Sequence, residues 1–246
     1  MVRRDASLWR RRAAAFAVAL GLAGAGSRTA GAAPPDPELL ARLSVDEQEL
    51  ERLARRLSFR GQQVIQTIDG DGKVSSTRTT RYHVESDGKT PHEVVEKSVE
   101  DGKDVTADEQ ETARRQEVKR ASHKPDDEPV WPFAPGSQAR YTYDQVAVDP
   151  AHPTCVEIAF TPRDPSSRTF EGKAWVDTAD ARILTASVRL SKPPMLVDWV
   201  HLTAEFASTP AGPALRRMTF DAAGGLLFLH KHFRGEVTMS DWRVGP

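Results

Sequence analysis

Two histidines set two residues apart, in Phe228-Leu229-His230-Lys231-His232, are the first candidates for chemistry in this chain. Alternate residues of a strand project to one face, so both imidazoles share a side, which is how a metal site can begin. A zinc site wants three or four ligands. His201 and Asp198 are the further candidates, but nothing in the spacing joins them to the pair, so no metal site is expected. Asp69-Gly70-Asp71-Gly72 opens like a calcium loop, yet Ser75, Ser76 and Thr77 follow without a glutamate at the twelfth position. It reads as a hairpin turn. His83 and His92 stand close to Glu85 and Glu93; read as strand neighbours pointing to opposite faces, they form no acid–base pair. Nucleophile-elbow, zinc-protease, P-loop and dinucleotide motifs are absent from the sequence. The single cysteine, Cys155, lies in the strand-like run Thr154–Ile158 and reads as a small buried apolar residue; alone it forms no internal disulfide. No catalytic residue, no cofactor and no enzymatic activity are expected.

The elements around these residues begin with an export signal. Arg3, Arg4, Arg10, Arg11 and Arg12 precede an apolar run, Ala13–Gly26, of 14 residues. A membrane-spanning helix needs about 20, and Ala30-Gly31-Ala32 offers the small residues of a cleavage site. Residues 1–32 are therefore expected to be a signal peptide and 33–246 one domain, periplasmic and soluble. No cysteine stands near the apolar run to accept a lipid anchor. Without residues 1–32 the chain holds 28 basic and 34 acidic side chains, a net charge of −6. No basic patch interleaved with aromatics occurs, which argues against nucleic acid as a partner. A monomer is expected.

Leu39, Leu40, Leu43, Leu50, Leu53 and Leu57 fall mostly at helical spacing over Glu38–Leu57, and Ser44 with Glu47 makes a capping box that predicts two helices breaking near Ser44. Strands are predicted at Phe59–Ile68, Lys73–Glu85 and His92–Val99, joined by Asp-Gly turns. Thr106–Lys124 reads as a polar helix, acids first and bases last, with Thr106 capping and Glu109 at its third position. Trp131-Pro132-Phe133 is expected to tuck back into the core or a cavity mouth. Seven more strands follow: Arg140–Asp149, Thr154–Thr161, Phe170–Asp177, Arg182–Leu190, Leu196–Ala207, Leu215–Asp221 and Leu226–Val237, with a turn at Gly224-Gly225. Short strands in hairpin order predict a mainly β fold, a half-open antiparallel barrel of about ten to eleven strands with an N-terminal helix and an inserted polar helix.

Phe170–Leu190 is the clearest hairpin: Phe170, Gly172, Ala174 and Val176 alternate with polar residues, the chain turns through Thr178-Ala179-Asp180, and Leu184, Ala186, Val188 and Leu190 resume the alternation. Gly172-Lys173-Ala174-Trp175-Val176-Asp177 followed by Ala181-Arg182-Ile183-Leu184, with Tyr82, Val84 and the Leu226–His232 strand in the same layout, resembles the periplasmic lipoprotein-carrier superfamily (LolA/LolB-like). The resemblance spans most of residues 38–242. It implies a curved sheet around an apolar cavity that takes acyl chains, and an arginine on an early strand that locks a lid; Arg60, Arg78 and Arg81 are all open to that role.

A strongly curved sheet must fill its inside with side chains, a helix or a ligand. The candidates for that inner face are Val64, Tyr82, Val84, Tyr141, Tyr143, Trp175, Leu184, Val188, Trp199, Phe206, Phe220 and Phe228. Two functions follow as expectations: a soluble carrier for a lipid or the acyl chain of a lipoprotein, or a non-enzymatic envelope scaffold or sensor that binds another protein through its sheet surface.

Overall fold

A computed structural model describes residues 33–88, 91–121, 129–226 and 229–245; the expected signal segment and Phe228 lie outside them. The elements run α1 (Pro37–Ala54), β1 (Leu57–Ile68), β2 (Val74–Ser86), β3 (Pro91–Glu100), β4 (Lys103–Asp104), α2 (Thr106–Ala121) and a 3-10 turn at Gln138–Arg140. There follow β5 (Tyr141–Val148), β6 (Cys155–Pro162), β7 (Phe170–Asp177), β8 (Arg182–Leu190), β9 (Val197–Thr209), β10 (Gly212–Leu226) and β11 (Leu229–Val244).

All eleven strands form one antiparallel sheet in the order β4-β3-β2-β1-β11-β10-β9-β8-β7-β6-β5. Two meanders, β1–β4 and β5–β11, are fused where β1 pairs β11 from Leu57–Val244 to Ile68–His232. The outermost strands do not pair with each other, so the barrel is half open, as the strand rhythm predicted.

The free edge of β3 would offer unpaired backbone groups, and α2 runs along it. Gln110 donates to the Val95 carbonyl (3.0 Å), Thr106 Oγ1 accepts from Ser98 N–H (3.0 Å), and Glu117 meets His92. Thr106 and Glu109 do not form the expected cap pair: Thr106 turns to Ser98 and Asp104, and Glu109 to Arg78. On the opposite edge, β5 is met by Ala33, whose carbonyl accepts from Gln145 N–H (2.8 Å).

Two expectations about elements are corrected. Pro37–Ala54 is one helix rather than two. Its cap is Asp36, which accepts from Glu38 N–H (2.9 Å), with Pro37 in the first turn. No Gly or Pro interrupts the leucine stripe, so Ser44 stays within the helix. Gly224 and Gly225 continue β10, opposite Lys231 and His230, instead of turning. With the two-residue β4 the strands number eleven, within the ten to eleven expected.

Candidate functional site

Directly opposed residues of neighbouring strands share a face, so rows can be followed across the whole sheet. One row on the packed side runs Phe160–Gly172–Val188–Leu202–Phe220–Gly235–Ile65–Arg78–Glu100. Its character changes along the way. Phe160, Val188 and Leu202 are buried, Phe220 and Ile65 only half-buried, and the row ends in a charged pair. The adjacent row through Thr67, Phe233, Ala222 and Val200 likewise leaves Phe233 and Val200 half-buried.

The β5–β8 half is filled from within. Phe133 (2 % exposed) sets its ring edge-on to Phe160 at 5.4 Å and tilted against Tyr143, and Trp131 stacks on Phe170 at 4.7 Å. The segment bends at Pro132–Ala134, and the Tyr141 hydroxyl donates to the Val130 carbonyl (2.7 Å) while Tyr143 donates to Pro132. Burial raises both phenols, Tyr141 to about 12. Leu39 and Leu43 of α1 join the same cluster, each contributing roughly 1.5–3 kcal/mol by leaving water. The expectation that Trp131 and Phe133 tuck inward is met.

In the other half, formed by β1, β2 and β9–β11, Leu53 of α1 packs on Leu57 and Ala214 at one end, and no aromatic segment like Trp131–Phe133 lies over the rest among the described residues. Tyr82, Val84, Leu215, Met218, Val237 and Met239 form its buried base. The Phe220 ring lies directly over Gly235, where a Cβ would come within 2.3 Å of it, so the glycine is what lets the ring lie flat on its neighbouring strand. Beyond it, Arg78 reaches from β2 to Glu109 on α2 (2.8 Å) and to Glu100 at the end of β3. Arg78 and Glu109 are 17 % and 15 % exposed, and Arg78 Nε is buried without a hydrogen-bond partner. Arg60 and Arg81 are exposed and belong to the opposite face by register. Of the three arginines left open by the sequence, Arg78 alone joins the inserted helix to the sheet.

Glu47 is a second ionisable group beneath the sheet. The continuous helix places it one turn after Leu43, half-buried and ringed by protein, and burial, with Asp46 and Glu51 nearby, raises its pKa to about 7.

Seven of the predicted inner-face residues, Tyr82, Val84, Tyr141, Tyr143, Val188, Phe206 and Phe220, lie on the packed side. Val64, Trp175 and Trp199 do not. Val64 faces Thr79 and Glu236, Trp175 faces Glu157 and Thr185, and Trp199 donates to Asp221 (3.2 Å) on the outer face. Their size suggested burial, but strand parity opposes it. Leu184 sits at a bulge where Trp175 pairs with Thr185 and Val176 with Ile183, so Ile183 takes its buried place. Ile65, Leu202 and Phe233 were missed; the alternation Phe59, Gly61, Gln63, Ile65 in β1 carries the signal for the first of them.

The histidines do come together with acids, as separate pairs. His232 Nε2 lies 2.7 Å from Asp221 and His230 Nδ1 3.3 Å from Asp198. Asp221 also accepts from Trp199 and Arg234; its burial would raise its pKa, but the hydrogen bonds from His232 and Trp199 outweigh that and lower it. Among the described residues no group of three or more ligands could hold a metal. His83 contacts both Glu85 (3.4 Å) and Glu96 (2.9 Å), because residues two apart share a face, contrary to the reading above. Asp69 accepts from the Asp71 and Lys73 amides (3.0 and 2.9 Å), the geometry of a turn. Cys155 is half-buried at the start of β6 rather than in the core.

No family model matches the chain, and no curated protein matches it. Among solved structures it is similar to MucB, at 14 % identity and a TM-score of 0.24 over 85 % of this chain and 95 % of that one. The Pseudomonas aeruginosa MucA/MucB complex gives 16 % identity and a TM-score of 0.22, over 85 % and 98 %. MucB in complex with MucA(peri) gives 14 % and 0.21, over 85 % and 98 %. Superpositions at these TM-scores do not establish a common architecture.

Proposed function

We propose that the protein is an exported, non-enzymatic binding protein that holds an extended segment of a partner polypeptide against the unfilled half of its sheet. The observation that carries this is the row in which half-exposed Phe220 and Ile65 run directly into the ion-paired Arg78. Apolar anchors bordered by hydrogen-bonding groups suit a polypeptide, which brings both kinds of surface. Gln63 and Thr67, both half-buried, stand among the apolar residues of the same face. An acyl chain offers nothing to such groups and would leave them dry and unpaired.

The outer face is a weaker candidate, because its charges are already matched across strands. Lys173 meets Glu157 (2.7 Å), and Arg217 bridges Glu205 and Glu236 (3.2 and 2.9 Å). The second reading, a carrier of acyl chains, follows from the layout of the strands and from the half-buried Val200, Phe206 and Phe233.

A photocrosslinking residue at Ile65 or Phe233, in cells exporting the protein, is expected to give one discrete polypeptide adduct, with none from Thr219 on the outer face. Adducts from Thr219 alone overturn the proposal. Saturable binding of a fluorescent fatty acid, abolished by Phe220→Asp and without any polypeptide adduct, favours the carrier.

A further inference from the structure

The connection between β8 and β9 displays apolar side chains that folding does not account for. Met195 is 89 % exposed, Leu196 50 % and Trp199, two residues into β9, 38 %. The loop is nevertheless fixed in place. Pro193 and Pro194 restrict it, Val197 N–H donates to the Pro194 carbonyl (3.0 Å), and Gly225 N–H donates to the Leu196 carbonyl (2.9 Å). Leu196 itself adopts a left-handed backbone, φ 74°, which a leucine rarely takes. A strained, hydrogen-bonded loop that presents Met and Leu to water points to something outside the fold.

The surrounding charge indicates what that is. The acids closest in the fold, Asp198 and Asp221, are taken up by His230, and by Trp199, His232 and Arg234. Lys192 in the loop and Lys231 on β11 are exposed and make no ion pair among the described residues. Lys231 lies opposite Gly224, next to the Gly225 that is bonded to Leu196. By alternation it sits on the inner side of the sheet and Trp199 on the outer, so the two flank this end of the sheet from either face, with Lys192 in the loop between β8 and β9. Apolar tips of two or three residues, an indole with its N–H satisfied and unmatched lysines are the chemistry of a protein that settles on an anionic bilayer surface.

We propose that this rim, Met195, Leu196 and Trp199 with Lys192 and Lys231, docks the protein reversibly on an anionic lipid surface. The proposal does not depend on the binding role assigned to the inner face. Its test is co-sedimentation of the exported form, recovered from the envelope, with phosphatidylglycerol-containing vesicles and with phosphatidylcholine vesicles. Sedimentation is expected with the anionic vesicles only, and release at high salt. Met195→Glu with Leu196→Glu should lower the bound fraction about tenfold, and Lys192→Glu with Lys231→Glu by a similar factor of about ten. These residues are exposed, so unchanged thermal unfolding of both variants checks that the fold survives. Failure of the unaltered protein to sediment overturns the proposal, as does binding that persists in both variants. A crosslinker at Met195 that captures a polypeptide without any dependence on vesicles also overturns it, by making the rim a protein contact.

Discussion

The two halves of the sheet are built from the same alternation and end in different states. In the β5–β8 half, the inward apolar side chains form one buried cluster with Trp131, Phe133, Leu39 and Leu43, and Phe160, Ile158 and Val176 are almost fully excluded from water. In the half formed by β1, β2 and β9–β11, the base is buried but Ile65, Phe220 and Phe233 keep part of their surface. The difference lies in what crosses the sheet. One half receives an aromatic segment that contains Pro132, while the other is bordered by a helix tied to the sheet by polar contacts: Gln110 with Val95, Thr106 with Ser98, Glu117 with His92, and the ion pair of Arg78 with Glu109. Apolar packing has no inexpensive alternative, whereas an ion pair can exchange partners. The half without the aromatic segment is the one that leaves Ile65, Phe220 and Phe233 partly exposed on its inner face.

The comparison is broken most severely by emptying the filled half. Phe133→Ala should lower unfolding stability by about 3–5 kcal/mol, read by urea denaturation, because the ring is 2 % exposed and touches Phe160 and Tyr143. Arg78→Ala should cost about 1–3 kcal/mol by leaving Glu109 and Glu100 without their cation. Its signature is local: amide exchange should rise in α2 and along β3 while β5–β8 stay protected. Phe220→Ala should cost only about 1–2 kcal/mol, since the ring is half-buried, yet it should abolish the crosslink from Ile65.

A smaller effect tests α1 beneath both halves. The Glu47 carboxyl is raised from 4.5 to about 7, so the folded state binds this proton more tightly than the unfolded one. Its contribution to stability is therefore fully present below pH 4.5 and is lost as the pH rises through about 7. Glu47→Gln should flatten that slope, by about 1 kcal/mol once solvent screening is allowed for, in denaturation curves taken across the range.

Much of this architecture is legible in the sequence because strand alternation and Asp-Gly turns are local. Asp69–Gly72 carries its own turn, and Trp131-Pro132-Phe133 could hardly stay in water. The Ser44–Glu47 cap misleads for an equally local reason: a cap signal inside an unbroken leucine stripe loses to helix continuity. The proposed binding face is less legible. It is made by register, which sets Phe220 beside Gly235, Ile65 and Arg78 from strands far apart in the chain. Side-chain size replaced register when Trp175 and Trp199 were read as inward, and a bulge exchanged Leu184 for Ile183. Of the arginines, Arg78 shares the strand parity of Tyr82 and Val84 and Arg81 does not, while tertiary placement supplies its partner Glu109.

Thiol protection tests the contrast between the halves most directly, because the chain has one cysteine to remove. In a Cys155→Ser background, Ile65→Cys and Phe233→Cys should react with a small maleimide in the native protein far faster than Val188→Cys and Ala174→Cys, which should react only through global unfolding. Equal protection at all four positions would mean that both halves are filled, and would contradict an inner face kept open for a partner.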